Sequence, residues 1–319
     1  MDKQSSTRNV GIDLFRCLCI YGICAYHAFF TGEFANGYES RIWTWAVPGF
    51  AFISGYYGVK LRISKLIRLW VMASICFLLP IALGGRFLDL LFINWYLLAY
   101  TILMLLSPIL NAGLNELTKK DMRLAFCGVL LLSVWSWLSE FAYTRSYVPM
   151  ANGMGALSFY SVLVAYVFGF VYRHHPGIST KVKWWWLVLL IPLSAMLGHY
   201  TSPVTLLLVL ILFRLFERLQ FGAHVGSVIT FVAASGFAVY VLHANWQVLP
   251  IMHDISRCLI VDWHWPKYIG LMVSAAAIWG TCVVIYLAGR MVLMPVNGVY
   301  GRVLNWLDSQ VDNLMTRTA

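Results

Sequence analysis

The stretch VGIDLFRCLCIYGICAYHAFF, residues 10–30, places an aspartate, an arginine and a histidine inside a run that is otherwise apolar. As a helix this run rises about 30 Å, which matches the thickness of a bilayer's hydrocarbon core. In that solvent Asp13, Arg16 and His27 are costly to place and need a polar interior to face. Asp13 and Arg16 are three apart, so they share a helical face and can pair. His27 follows Arg16 by eleven residues, about three turns or ~16 Å further along roughly the same face.

Nine more apolar runs follow, at 41–59, 66–83, 88–110, 122–139, 155–172, 184–198, 203–219, 228–250 and 268–293. The composition agrees with a membrane solvent: 61% hydrophobic and only 11% charged residues, with a mean hydropathy of +0.74. A soluble domain carries about 25% charged residues to cover its surface. With residues 1–9 in the cytoplasm, seventeen lysines and arginines fall on the cytoplasmic side, against five outside (Arg41, Arg86, Arg145, Arg257 and Lys267). The positive-inside rule then puts both termini in the cytoplasm. The expected fold is an all-α integral membrane protein, a bundle of about ten transmembrane helices. It forms a single membrane domain over 1–319, with short cytoplasmic tails at 1–9 and 294–319.

The first run is too long for a signal-peptide h-region, contains Arg16 and lacks a small-x-small cleavage site, so it is expected to remain as a membrane helix. The net charge of +10 is accounted for by topogenic residues facing anionic headgroups, which makes membrane lipids the expected partner and excludes nucleic acid. Six of the seven cysteines lie in apolar runs and read as small packing residues. Cys17 and Cys19, two apart on a helix, point to different faces, and no metal site is expected. Val303, Leu304, Trp306 and Leu307 form an amphipathic tail segment expected to lie along the inner surface.

Several runs carry further polar or small residues. The second contains Pro48, Gly49, Ser54, Gly55 and Gly58, which suit close helix packing or the approach of a ligand to the backbone. Lys60, Arg62, Lys65 and Arg68 form the densest basic cluster. It reads either as a topology signal or as an anion clamp, with Lys65 and Arg68 on one face. The fourth run holds Asn94, Trp95 and Tyr96; an aromatic belt explains the two rings but not Asn94. The ninth run places His243 and Asn245 in its outer half, at a depth similar to that of His27.

These residues occur in an order that resembles the integral-membrane acyltransferases of family 3. The resemblance lies in Arg16-x10-His27, in FAFISGY (50–56), in Lys65-x-x-Arg68, in NWYL (94–97) ahead of Ser107-Pro108, and in VYVLH (239–243). It spans the whole chain. It implies a multi-pass protein of the inner or plasma membrane that moves an acetyl or similar acyl group from cytoplasmic acyl-CoA to a hydroxyl of an extracytoplasmic carbohydrate. By this resemblance His27 and Arg16 are the essential pair, with His27 as base; His243, from its similar depth, is expected to line the same catalytic layer. Acetyl-CoA is the expected co-substrate, taken up at Lys65, Arg68, Arg16 and Ser54. The acceptor side is expected at Asn94, Trp95, Tyr96 and Asn245. Two positions depart from the family: Lys65 stands where arginine is usual, and Val71 where proline is common.

Direct transfer and an acyl-histidine intermediate are both compatible with these residues. The competing class is a multi-spanning transporter or flippase of a lipid-linked sugar, whose pathway the polar stripe would line; against it, no paired broken helices recur in matching halves.

Overall fold

The structure, a computed structural model, describes residues 8–34, 36–86, 95–143, 159–174, 183–243, 245, 247–293 and 301–310. Among them there are helices and connecting turns but no strand. The solvent of the fold is legible in which side chains face out. Ile109, Leu124, Leu131 and Val188 are exposed, while Asp13, Ser133, Thr205, His243 and Asn245 are buried. That inside-out arrangement suits a helical membrane protein, in which lipid takes the apolar faces and polar groups turn inward.

The first helix, α1 (Val10–Phe30), is the axis of the bundle. Its start is set by Asn9, whose side chain accepts from the Ile12 N–H at 3.2 Å and whose amide donates to the Glu217 carbonyl at 2.9 Å. Asp13 in the first turn complements the helix dipole. Its end is set by Thr31, whose N–H and hydroxyl both donate to the His27 carbonyl, at 3.0 and 2.8 Å.

A short helix, α2 (Gly37–Ser40), and a 3-10 turn, Arg41–Trp43, lead into α3 (Ala46–Tyr57). The run expected as one span over 41–59 is therefore helical in its regular form over only twelve residues. Gly58, at φ 72°, ends it in a conformation that a side chain disfavours. Then follow α4 (Ile63–Ala82), α5 (Trp95–Glu116), α6 (Lys119–Tyr143) and α7 (Phe159–His174). The Trp70 indole donates to the Thr101 hydroxyl at 3.1 Å and ties α4 to α5.

Next, α8 (Trp186–Leu197) and α9 (Pro203–Glu217) pack on each other as a hairpin across the turn at 198–202. The run at 228–250 is not one straight span. It is a pair, α10 (Ala223–Ala233) and α11 (Gly236–His243), bent by 41° where the Ser235 hydroxyl turns back to the Val232 carbonyl at 2.6 Å. Helix α12 (Leu249–Arg257), a π-helical segment (Cys258–Asp262), α13 (Lys267–Leu293) and α14 (301–310) complete the described chain.

Four of these helices, α1, α4, α5 and α13, are long and apolar enough to cross a membrane, and the bent pair α10–α11 would make a fifth. Helices α3, α7, α8 and α9, with 12 to 16 residues, rise only about 18 to 24 Å. They fall short of the ~20 residues that a straight span needs. All seven cysteines are free thiols; Cys127, expected as a packing residue, is exposed on α6.

The crossing of α3 on α7 is close, and reciprocal glycines allow it. A Cβ on Gly55 would lie 1.9 Å from the Tyr166 carbonyl oxygen, and one on Gly169 would lie 2.1 Å from that of Phe52. Without a hydrophobic drive between helices in lipid, such close backbone contact is a main source of association. Tyr56 and Tyr172 both donate to the Glu217 carboxylate, at 2.7 and 2.9 Å, and join this crossing to α9. Gly55→Ala is expected to destabilise the protein by about 1–3 kcal/mol through overpacking. The check is the thermal midpoint of the solubilised protein, with Gly128→Ala, which meets nothing within 4 Å, as the control that should hold or rise, since alanine favours a helix over glycine.

Candidate functional site

The start of α1 holds a carboxylate that is 1% exposed. Asp13 accepts from Arg8 Nε at 2.5 Å, from Arg16 Nη1 at 2.8 Å and from the Thr230 hydroxyl at 3.2 Å. The Arg16 guanidinium also sits over the Tyr57 ring, 5.7 Å from its centroid, a cation–π distance. Arg16 is thus held from two sides at the edge of a cavity.

That cavity has a volume of about 350 Å³. Its cations are Arg16 from α1, Lys60 and Arg62 from the connection after α3, and Lys65 from the first turn of α4; Ser54, Tyr57 and Tyr100 supply hydroxyls. Among the described residues no aspartate or glutamate lines it. The connection that carries Lys60 and Arg62 is pinned at its root. Arg173 donates to the carbonyls of Tyr56 and Tyr57 at 3.1 and 3.2 Å. Asn111 donates to the Val59 carbonyl at 2.6 Å and accepts from the Tyr166 hydroxyl at 2.6 Å. Four cations without a lining carboxylate suit an anion with several phosphate groups, which guanidinium forks and ammonium donors bind by charge-assisted hydrogen bonds.

The second centre lies about 16 Å further along α1. The His27 and His243 rings are 5.1 Å apart, centroid to centroid, at 63°. His243, 1% exposed, has Nδ1 at 3.0 Å from the Val239 carbonyl. A carbonyl only accepts, so that nitrogen carries the proton and Nε2 is left with its lone pair. Nε2 of His243, Nδ1 of His27 and Oδ1 of Asn245 are buried with no hydrogen-bond partner among the described residues. The Asn245 amide nitrogen is already engaged, with the carbonyls of Val241 and Leu242 at 2.5 and 3.1 Å. Unsatisfied buried polar atoms are costly in a folded chain, and two of these three belong to the facing histidine rings of α1 and α11.

A row of rings joins the two centres. Tyr100, in the cavity wall, stacks on Tyr96 at 6.0 Å, Tyr96 meets Tyr240 at 5.5 Å, and Tyr240 meets His243 at 5.9 Å. The Tyr96 N–H, in the first turn of α5, donates to the Tyr240 hydroxyl at 3.2 Å and fixes the middle of the row.

Of the residues singled out in the sequence, Arg16, Ser54 and Lys65 meet in the cavity, and His27 and His243 meet at the second centre. Tyr96 lies in the row between them, and Trp95 beside it packs on Tyr200 at 6.0 Å. Asn94 lies outside the described residues. Arg68 does not line the cavity: one turn beyond Lys65, its charge bears instead on Asp308. The sequence reading passed over Tyr57, Tyr100 and Tyr240. The signal for Tyr100 was its spacing, four residues from Tyr96 and hence on the same helical face. Among the described residues no three His, Cys, Asp or Glu side chains group as metal ligands.

The geometry separates cations that the sequence could not. Arg62→Gln combined with Lys65→Gln is expected to weaken binding of a phosphate-bearing probe, inorganic pyrophosphate, about tenfold or more, as the loss of charge-assisted hydrogen bonds requires. Arg68→Gln should change it by less than about twofold, as befits an exposed charge outside the cavity wall. Calorimetric titration of the protein in nanodiscs reads both.

No protein-family model matches this chain, no curated protein matches it, and no solved structure matches it.

Proposed function

We propose that the protein is a membrane O-acyltransferase that moves an acyl group, most simply acetyl, from acyl-CoA to a hydroxyl of a cell-surface carbohydrate. The observation that carries the reading is the pairing of two unlike sites in one bundle. One is a cavity of four cations with no lining carboxylate. The other is a buried histidine pair with unpartnered ring nitrogens, reached along the Tyr100–Tyr96–Tyr240 row. The motif resemblance points the same way.

In this reading the donor's phosphates sit among Arg16, Lys60, Arg62 and Lys65, with Ser54 beside them. The thin pantetheine arm follows the tyrosine row and brings the thioester to the histidines. His27 takes the proton of the acceptor hydroxyl as its oxygen bonds to the thioester carbonyl carbon. The C–S bond then breaks, and the departing thiolate recovers a proton from the imidazolium. His243, its Nδ1–H held by Val239, offers the Nε2 lone pair to the charged His27 ring or to the acceptor hydroxyl and so positions the pair. Asn245 Oδ1, with Tyr96 of the row and Trp95 beside it in sequence, belongs to the acceptor side of this scheme. Ten crossings, cytoplasmic termini and an inner- or plasma-membrane location complete the proposal on the strength of the lysine and arginine distribution. The donor cavity then opens to the cytoplasm, and the acceptor approaches from outside.

The test is thiol release from acetyl-CoA by the purified protein in nanodiscs, with a glycan acceptor present. His27→Ala should lower turnover by about 10²–10⁴-fold, the usual contribution of a general base, with expression and insertion intact. His243→Gln, which keeps one hydrogen bond, should retain partial activity. Near-normal turnover in His27→Ala would remove the base from the mechanism. A wild-type protein that binds sugar-lipid yet leaves the thioester untouched would favour the transporter reading instead.

A further inference from the structure

Helix α4 begins without a cap of its own. Its N-cap residue, Arg62, has extended backbone angles and makes no capping hydrogen bond through its side chain. The first-turn donors are met from 244 residues away. Asp308 Oδ1 accepts the Ser64 N–H at 2.9 Å, and Oδ2 accepts the Ser64 hydroxyl at 2.5 Å. Ser64 itself is buried, and it stands between two residues of the cavity wall, Arg62 and Lys65.

Asp308 is delivered by α14. Leu304, one turn earlier on the same face, is 1% exposed and anchors the helix to the body, while Val303 and Trp306 face outward. The local charge fits the contact. Desolvation of Asp308 opposes ionisation, yet the two bonds from Ser64 and the charges of Arg62 and Arg68 together outweigh it and hold its carboxyl below the usual carboxylate value.

We propose that Asp308 is a positioning residue of the anion cavity: through Ser64 it fixes the first turn of α4, and with it the placement of Arg62 and Lys65 around a phosphate-bearing ligand. The proposal rests on reading the cavity as the donor site. It makes α14, which does not line the cavity, a working part of that site. Two other roles for the same contact are distinct. A plain helix cap would stabilise the fold without affecting uptake, and a competing carboxylate would hold Arg62 away from the ligand.

The experiment uses the full-length protein in nanodiscs, titrated in parallel with coenzyme A and with inorganic pyrophosphate. Asp308→Ala should weaken binding of both probes roughly fivefold, the scale of one lost cap, and should raise the acetyl-CoA KM more than it lowers kcat. Asp308→Asn keeps an acceptor for the Ser64 N–H and should recover most of what alanine loses. Ser64→Ala removes one of the two bonds and should show about a twofold loss. It carries the test if Asp308→Ala does not survive purification. A lower thermal midpoint with unchanged affinity overturns the proposal in favour of a plain cap. Tighter binding in both Asp308 variants overturns it in favour of competition. Wild-type protein that binds pyrophosphate but not coenzyme A defeats the donor reading alone, and the pyrophosphate series then still decides Asp308.

Discussion

A carboxylate buried to 1% exposure is costly unless opposite charge and hydrogen bonds surround it, and Asp13 has both. Two guanidinium groups and a hydroxyl converge on it from its own helix, from the segment before it and from α10. Because α1 packs against α3, α9, α10, α11 and α13, this ion cluster anchors the most connected helix in the molecule. It also decides where the positive charge of the cavity begins. Asp13 holds Arg16 at the boundary between a buried and an accessible place, and one carboxylate shared by two arginines leaves a net positive charge. The cavity wall adds Lys60, Arg62 and Lys65 with no acid of its own. The expense of burying a charge is thereby converted into a fixed electrostatic field.

The rest of the bundle keeps this field in register with the histidines. Both centres hang from α1, so their separation is set by helix geometry rather than by loops. The walls around them come from elements held by short-range devices: the glycine crossing of α3 and α7, the Arg173 and Asn111 bonds at the root of the cationic connection, and the Tyr96 N–H bond to Tyr240. Each device is small, and each acts where lipid gives no hydrophobic help.

Much of this was legible in the sequence because membrane solvent makes polar residues conspicuous. Asp13 and Arg16 at i and i+3 announced a pair, and His27 with His243 announced a shared depth. Ser54 stood out from its run for the same reason, while Lys65, between two runs, read equally as a topology signal. What stayed hidden follows from what hydropathy does not encode. Apolar runs at 41–59 and 228–250 read as continuous, yet a 3-10 turn at Arg41–Trp43 delays the regular helix of one until Ala46 and the turn at Ser235 bends the other; neither break lowers the hydrophobicity of the run. Within the basic cluster 60–68, charge alone could not tell Arg62, which faces the cavity, from Arg68, which does not. Tyrosines inside a membrane run resemble belt or packing residues until a neighbour's position shows them in a row. Asp308 was out of reach for a different reason, since its partner Ser64 is 244 positions away and nothing local marks the pair.

The bend between α10 and α11 has a consequence for how the gene can change. Helix α11 is only eight residues long and carries His243 at its last position, so it behaves as a peg whose angular setting is fixed by the turn at Ser235. One residue inserted at that turn rotates the peg by about 100° and swings His243 away from His27. The same insertion in the loop at 218–222, ahead of α10, leaves the peg's phase untouched. Length variation in this lineage should therefore accumulate before α10 and be purged at the bend, even though both places look equally loop-like in sequence.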